Sequence, residues 1–128
     1  MPTSQVIHKA ARILFAGGVI AYPTEGVYGI GCLPDNQHAV QRLLDIKGRS
    51  HKAGFILIAP IYELLADWLA PTDKEYRQLM EPIRRPVTWV VTAAPMTPDY
   101  LTGGRATVAV RISDHPVVAE LCLAVDSA

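Results

Sequence analysis

Apolar and polar positions follow two different periods along this chain, and the switching between them predicts an alternating helix–strand order. Val6, Ala10, Ile13 and Leu14 recur at helical spacing, and Gly17-Gly18 is expected to stop that first helix. Val19-Ile20-Ala21-Tyr22, a short apolar run between glycine and proline, reads as a buried strand. A turn-rich stretch, Pro23-Thr24-Glu25-Gly26, leads into residues 27–32, which carry two more glycines. Asp35 or Asn36 can cap a second helix whose apolar face is Ala39, Val40, Leu43 and Leu44. Residues 55–59 form a second buried apolar run. A helix is then expected through Leu64, Leu65, Trp68 and Leu69, ending at Pro71. Thr72 and Glu75 have capping-box spacing for another helix, running to about Glu81. Residues 87–91 and 107–111 read as further strands, and a last helix runs from about residue 116 to 123. No repeat, low-complexity run or linker interrupts this order. The expectation is one α/β domain over residues 1–128, a twisted mixed β-sheet flanked by helices.

Composition narrows the function more than the fold. The chain has 128 residues, enough to bury a core without staples, and 50% of them are apolar. Twelve basic residues balance twelve acidic ones, so no global field draws the chain to nucleic acid or a membrane. Any anion site must be local. Cys32 and Cys122 lack metal-ligand spacing, and no charged-then-apolar leader follows the Met-Pro-Thr-Ser start. They are expected to be free, mostly buried thiols in a reducing cytoplasm. No apolar run reaches the roughly 20 residues of a membrane helix, so no membrane role is expected.

Three segments could carry chemistry. In the strand from Thr107 to Ile112, side chains alternate across the sheet: Val108, Val110 and Ile112 share a core face, while Thr107, Ala109 and Arg111 share the other. A hydroxyl, a small residue and a guanidinium suit the floor of a polar pocket; the alternative is an exposed sheet face with a solvated arginine. Lys47-Gly48-Arg49 places a point charge and a planar fork near each other, with Lys52 close by. Such clusters are commonly solvated loop charges; here the glycine would leave a ligand room to approach the backbone. The glycines at 26, 29 and 31 match neither the dinucleotide nor the P-loop fingerprint and imply tight turns, with positive φ as the structural explanation. Thr24 and Glu25 lie at a strand exit, where open α/β sheets bind ligands. His8, His38, His51 and His115 are scattered, so a protein-built metal site is not expected, and Trp68 reads as core rather than a stacking platform.

Together these segments resemble the YrdC-like family of threonylcarbamoyl-AMP synthases, in its short bacterial form. The matching residues are 19–25 and 27–31, Lys47-Gly48-Arg49, residues 55–59, Pro86-Val87-Thr88-Trp89-Val90, Leu101-Thr102-Gly103, residues 107–111 and Asp114-His115-Pro116. Singly these are weak; in colinear order they are specific. The resemblance implies an enzyme joining L-threonine, bicarbonate and ATP into threonylcarbamoyl-adenylate with release of pyrophosphate, for modification of tRNA by partner proteins. Mg²⁺ would accompany the triphosphate. An N-carboxylated threonine must attack the α-phosphate, so cations and oriented donors would supply the catalysis, with no covalent nucleophile.

The resemblance further implies ATP contacts at Lys47, Arg49, Ala53 and Thr107. It places the threonine end of a concave ligand face at Thr24, Gly26 and Arg111, with Arg111 taking the carboxylate. Lys47, Arg49, Thr107 and Arg111 are therefore expected to converge on one concave face. Three departures stand out: Ser50 follows Lys-x-Arg where proline is common, Arg84-Arg85 precedes Pro86, and the family's later Ser-x-Ser-Ala-Asn segment does not occur. The C-terminal part is accordingly expected to be missing, leaving the strand face of Val108, Val110 and Ile112, and the last helix, only partly buried. An RNA-binding or ribosome-associated module without catalysis is the alternative; neutral overall charge argues against it.

Overall fold

The computed structural model of the chain describes residues 4–23, 28–48, 54–81 and 87–128. Helix α1 spans Ser4–Phe15 and buries Ile7, Ala11 and Leu14, while Val6 and Ile13 are exposed. The buried stripe is thus rotated from the one that Val6 and Ile13 suggested. Its position is set by a partner helix, α5 (Pro116–Val125), whose Val117 and Leu121 pack on Ile7. Gly17, at φ 86°, ends α1 as expected: its N–H donates to the Leu14 carbonyl and that of Gly18 to the Ile13 carbonyl.

Strand β1 (Ile20–Pro23) pairs antiparallel with β2 (Tyr28–Gly31), with Tyr22 opposite Gly29 and Ile20 opposite Gly31. β1 is half-open rather than buried, with Ala21 exposed. Gly29 and Gly31 correct a second expectation, because neither has a positive φ. They lie within the ladder and clear space for Tyr22: a Cβ on Gly31 would come within 2.7 Å of the tyrosine ring, and one on Gly29 within 3.5 Å.

Helix α2 (Gln37–Lys47) follows its pattern closely. Asn36 caps it, its side chain accepting from the Ala39 N–H at 3.0 Å, and Ala39, Val40, Leu43 and Leu44 are all buried. Gly48 closes it in the left-handed conformation, φ 63°, so this glycine is set first by the helix end; the space beside it is open.

Strands β3 (Ile56–Ala59), β4 (Trp89–Thr92) and β5 (Thr107–Ile112) form a sheet in the order β3-β5-β4, β5 running parallel to β3 and antiparallel to β4. The described strands therefore form a hairpin and a separate mixed sheet within the expected α/β class. One face of that sheet is core: Leu57, Ala59, Val91, Val108 and Val110 are each at most 4% exposed. Leu65, Leu69, Leu79 and Leu101 cover it together with Val40.

Leu65 and Leu69 do not come from the expected helix through residues 64–69. Two 3₁₀ turns stand there instead, Tyr62–Leu64 and Ala66–Trp68. The Trp68 carbonyl accepts from the Ala94 N–H and, at 2.7 Å, from Thr97 Oγ1, while Ala70 N–H donates to Thr92. Bonding to the end of β4 draws the chain into extended pairing at Leu69 and Ala93, which a continuing helix would forbid. Helix α3 (Asp73–Leu79) begins on the expected capping box, Thr72 with Glu75, and a short α4 (Asp99–Thr102) was not foreseen.

The expected partial burial of the C-terminal elements is also overturned. Val117, Val118, Leu121 and Cys122 are all buried, as are Val108 and Val110, and only Ile112 is half-buried. α1 covers α5, and the leucine cluster covers the strand. Among the described residues, no helix is long and apolar enough to cross a membrane.

Candidate functional site

Strands β3 and β5, on the second face of the sheet, floor a cleft of about 590 Å³. Ile56 and Ile58 of β3 and Ala109 and Arg111 of β5 line it, as do Tyr22 and Gly31 of the hairpin, Lys47 of α2, and Leu121 and Cys122 of α5. Strand alternation is what divides Ala109 and Arg111 from the core residues Val108 and Val110. At β3 and β5 that face thus looks into a walled cleft, while at β4 Val90 is exposed.

Lys47 and Arg111, 64 positions apart in the sequence, are both brought to this cleft. Thr107 shares the Arg111 face of β5 but is not among the lining residues. Thr24, Gly26, Arg49 and Ala53 lie outside the described residues, and so does Lys52.

Among the described lining residues, the charged side chains are Lys47 and Arg111, both cations. A second concavity, lined by Asp35, Glu63, Asp67 and Asp126, carries the opposite sign. The zero net charge therefore hides a local separation, and the first cleft is the one suited to anions. Burial pushes the Tyr22 hydroxyl up to about 12; the Cys122 and Cys32 thiols push the same way and the Arg111 guanidinium opposes them. Burial likewise pushes both thiols up to about 11. At neutral pH all three stay protonated, so none of them adds a negative charge beside Lys47 and Arg111. Neither cysteine is disulfide-bonded; Cys122 Sγ contacts the Ile58 carbonyl at 3.5 Å. Trp68 packs against the core as expected.

Arg111 is held from the side. Its Nη2 donates to Thr88 Oγ1 at 2.8 Å, and its Nε donates to the same oxygen at 3.3 Å. The fork is thereby fixed by a neutral oxygen, which leaves its charge available. Neither Tyr22 nor Thr88 was singled out as a site residue from sequence. Tyr22 left a trace, the glycines at 29 and 31 that make room for its ring; Thr88 became visible only once β4 was in register with β5. No group of three or more His, Cys, Asp or Glu able to hold a metal occurs among the described residues.

Comparison with known proteins places this geometry in a family. The chain is 49% identical over 121 residues to a threonylcarbamoyl-AMP synthase of Vibrio cholerae, and 47% over 119 residues to one of Halorhodospira halophila. Each match covers 92% of this chain but only 64% and 62% of the relative, so the chain spans a little under two-thirds of the length of the curated relatives it matches. Among solved structures, Sua5 of P. abyssi complexed with L-threonine superposes with a TM-score of 0.90 at 29% identity, covering 99% of this chain and 38% of that one. E. coli YciO, at 23% identity and TM-score 0.86, shares the fold over 99% of this chain and 62% of its own length. The family model for Sua5, YciO and YrdC, described as "Telomere recombination", matches residues 12–128, and across that span the chain belongs to this family.

Proposed function

We propose that this chain is the L-threonine- and ATP-binding part of a threonylcarbamoyl-AMP synthase, acting in tRNA threonylcarbamoyladenosine formation. The observation that carries this reading is the cleft whose charged described lining residues are two cations, Lys47 and Arg111, in a chain 47–49% identical to synthases of that name. The reaction brings two anions together. Threonine's amine takes up bicarbonate with loss of water, a carbamate oxygen attacks the α-phosphorus of ATP, and pyrophosphate leaves. Positive charge and fixed donors lower the repulsion between carbamate and triphosphate.

In this reading Arg111 takes the threonine carboxylate, since a guanidinium matches it in plane and charge. Lys47 supports the phosphates as a point charge. Arg49, Ala53 and Thr107 are assigned to ATP, and Thr24 and Gly26 to the amino-acid end, by family resemblance. Mg²⁺ bound to the triphosphate would share its charge beside Lys47; residues 1–128 act in the cytoplasm, and tRNA-modifying proteins receive the product.

The test is pyrophosphate release from ATP by the purified chain, with L-threonine and bicarbonate each omitted in turn. Release that needs both is the expected result. Release indifferent to both, or an absence of release together with no binding of either L-threonine or ATP, would overturn the proposal.

A further inference from the structure

Thr88 faces Arg111 directly. With Trp89 opposite Val110 in the antiparallel β4–β5 pair, the next pair outward is Thr88 and Arg111, on the cleft face. A guanidinium can grip a carboxylate with two parallel bonds either from its Nε–Nη2 side or from its Nη1–Nη2 end. The hydroxyl of Thr88 already accepts from Nε and from Nη2, so the first edge is taken.

We infer that Thr88 is a positioning residue which holds Arg111 by its Nε–Nη2 side, so that the amino-acid carboxylate is gripped end-on by Nη1 and the outward N–H of Nη2. This rests on the assignment of Arg111 to that carboxylate. Three physical points support it. An arginine on a half-open sheet face loses rotamer freedom when it binds, and a partner that fixes it beforehand removes part of that loss. A neutral hydroxyl fixes the fork without neutralising it, whereas a carboxylate at residue 88 would compete with the ligand. Threonine is also stiff at χ1, so its oxygen stays in one place on the strand.

The experiment is calorimetric titration of L-threonine, and separately of ATP, into the chain carrying Thr88→Val, Thr88→Ser, Arg111→Ala or Thr88→Val with Arg111→Ala. Valine suits an exposed strand-edge position, so the variant keeps the fold. Thr88→Val is expected to weaken L-threonine binding about tenfold, the loss of roughly one hydrogen bond to a charged group, and Thr88→Ser by less than about twofold. ATP affinity stays unchanged in both. In the Arg111→Ala background, Thr88→Val adds nothing further, because the two residues act as one unit. Loss of L-threonine binding in Arg111→Ala but not in Thr88→Val would overturn the inference and leave the assignment of Arg111 intact. Parent-like binding in Arg111→Ala, or no L-threonine binding by the parent chain, would overturn both. Equal losses for valine and serine, or a parallel loss of ATP affinity, would mark a general disturbance and also overturn the positioning role.

Discussion

The two faces of the β3-β5-β4 sheet are made of alternate residues on the same strands, yet they meet opposite surroundings. On one face Leu57, Ala59, Val108, Val110 and Val91 sit under a layer of leucines and are almost wholly buried. On the other, Ile56 is 52% exposed and Val90 65% exposed, while Ala109 and Arg111 floor the cleft. A β-strand supplies both environments because its side chains alternate; what differs is which elements cover each side. The covered face stabilises the fold, and the open one turns a guanidinium, bonded to a hydroxyl, toward the cleft. A one-sided sheet in a small domain thus separates stability from chemistry at single-residue spacing.

Adjacent residues on β3 give the strongest way to break that contrast. Leu57→Ala should lower unfolding stability by about 2–5 kcal/mol, since it leaves a cavity under the leucine cluster, whereas Ile56→Ala should change it by less than about 1 kcal/mol. Urea denaturation followed by fluorescence would measure both; similar losses would show that the two faces are equally packed.

Next in size is Arg111 on the open face. Arg111→Ala should weaken L-threonine binding by about 10–100-fold, and Arg111→Lys by less, because lysine keeps the charge and loses the fork. Unfolding midpoints should move little in either variant. Equal losses for alanine and lysine in a calorimetric titration would argue against a two-bond grip.

Gly54 lies where the cleft meets the α4 turn, and there the separation should fail. Its φ is 71°, and a Cβ would come 3.2 Å from the Leu101 carbonyl oxygen and from the Thr102 backbone. Gly54→Ala should therefore destabilise by about 1–3 kcal/mol and also weaken ligand binding. A variant as stable as the parent would mean that the backbone there relaxes freely.

The smallest expected effects concern the clamp that ties α3 to the sheet. Glu75 accepts from the Thr72 N–H at 2.9 Å and from the Thr92 N–H at 3.2 Å. Those bonds, that of Thr72 first, hold its carboxyl below the usual range, against a smaller push from burial. A carboxyl depressed in the folded state adds stability above its unfolded pKa of about 4.3 and loses it as pH falls through the lower folded value. Glu75→Gln should therefore flatten the acid limb of stability against pH and leave cleft binding unchanged. Thr72→Ala should cost about 1 kcal/mol at neutral pH. An unchanged acid limb in Glu75→Gln would show that the clamp does not contribute.

Local signals decided much of this molecule by themselves. Asn36 and the apolar face of α2, the Thr72–Glu75 box, the Gly17-Gly18 stop and the alternation of Thr107–Ile112 depend on residues within a turn or a strand of one another. The capping bonds of Asn36 and Thr72 span three residues, short enough for the sequence to specify them directly. The colinear motifs also indicate the family, and Arg111 and Lys47 are candidates on sequence alone. Tertiary structure decided the rest. Bonds from Trp68 and Ala70 to residues 92–97 replace a continuing helix after the 3₁₀ turns, α5 selects which stripe of α1 is buried, and the Tyr22 ring accounts for glycines that suggest turns. The pairing of Thr88 with Arg111 joins residues 23 positions apart, and the cleft joins Lys47 to Arg111 across 64. Such contacts depend on sheet register and helix packing, which a local pattern constrains only in sum; which partner a side chain meets is settled when the whole chain closes on itself.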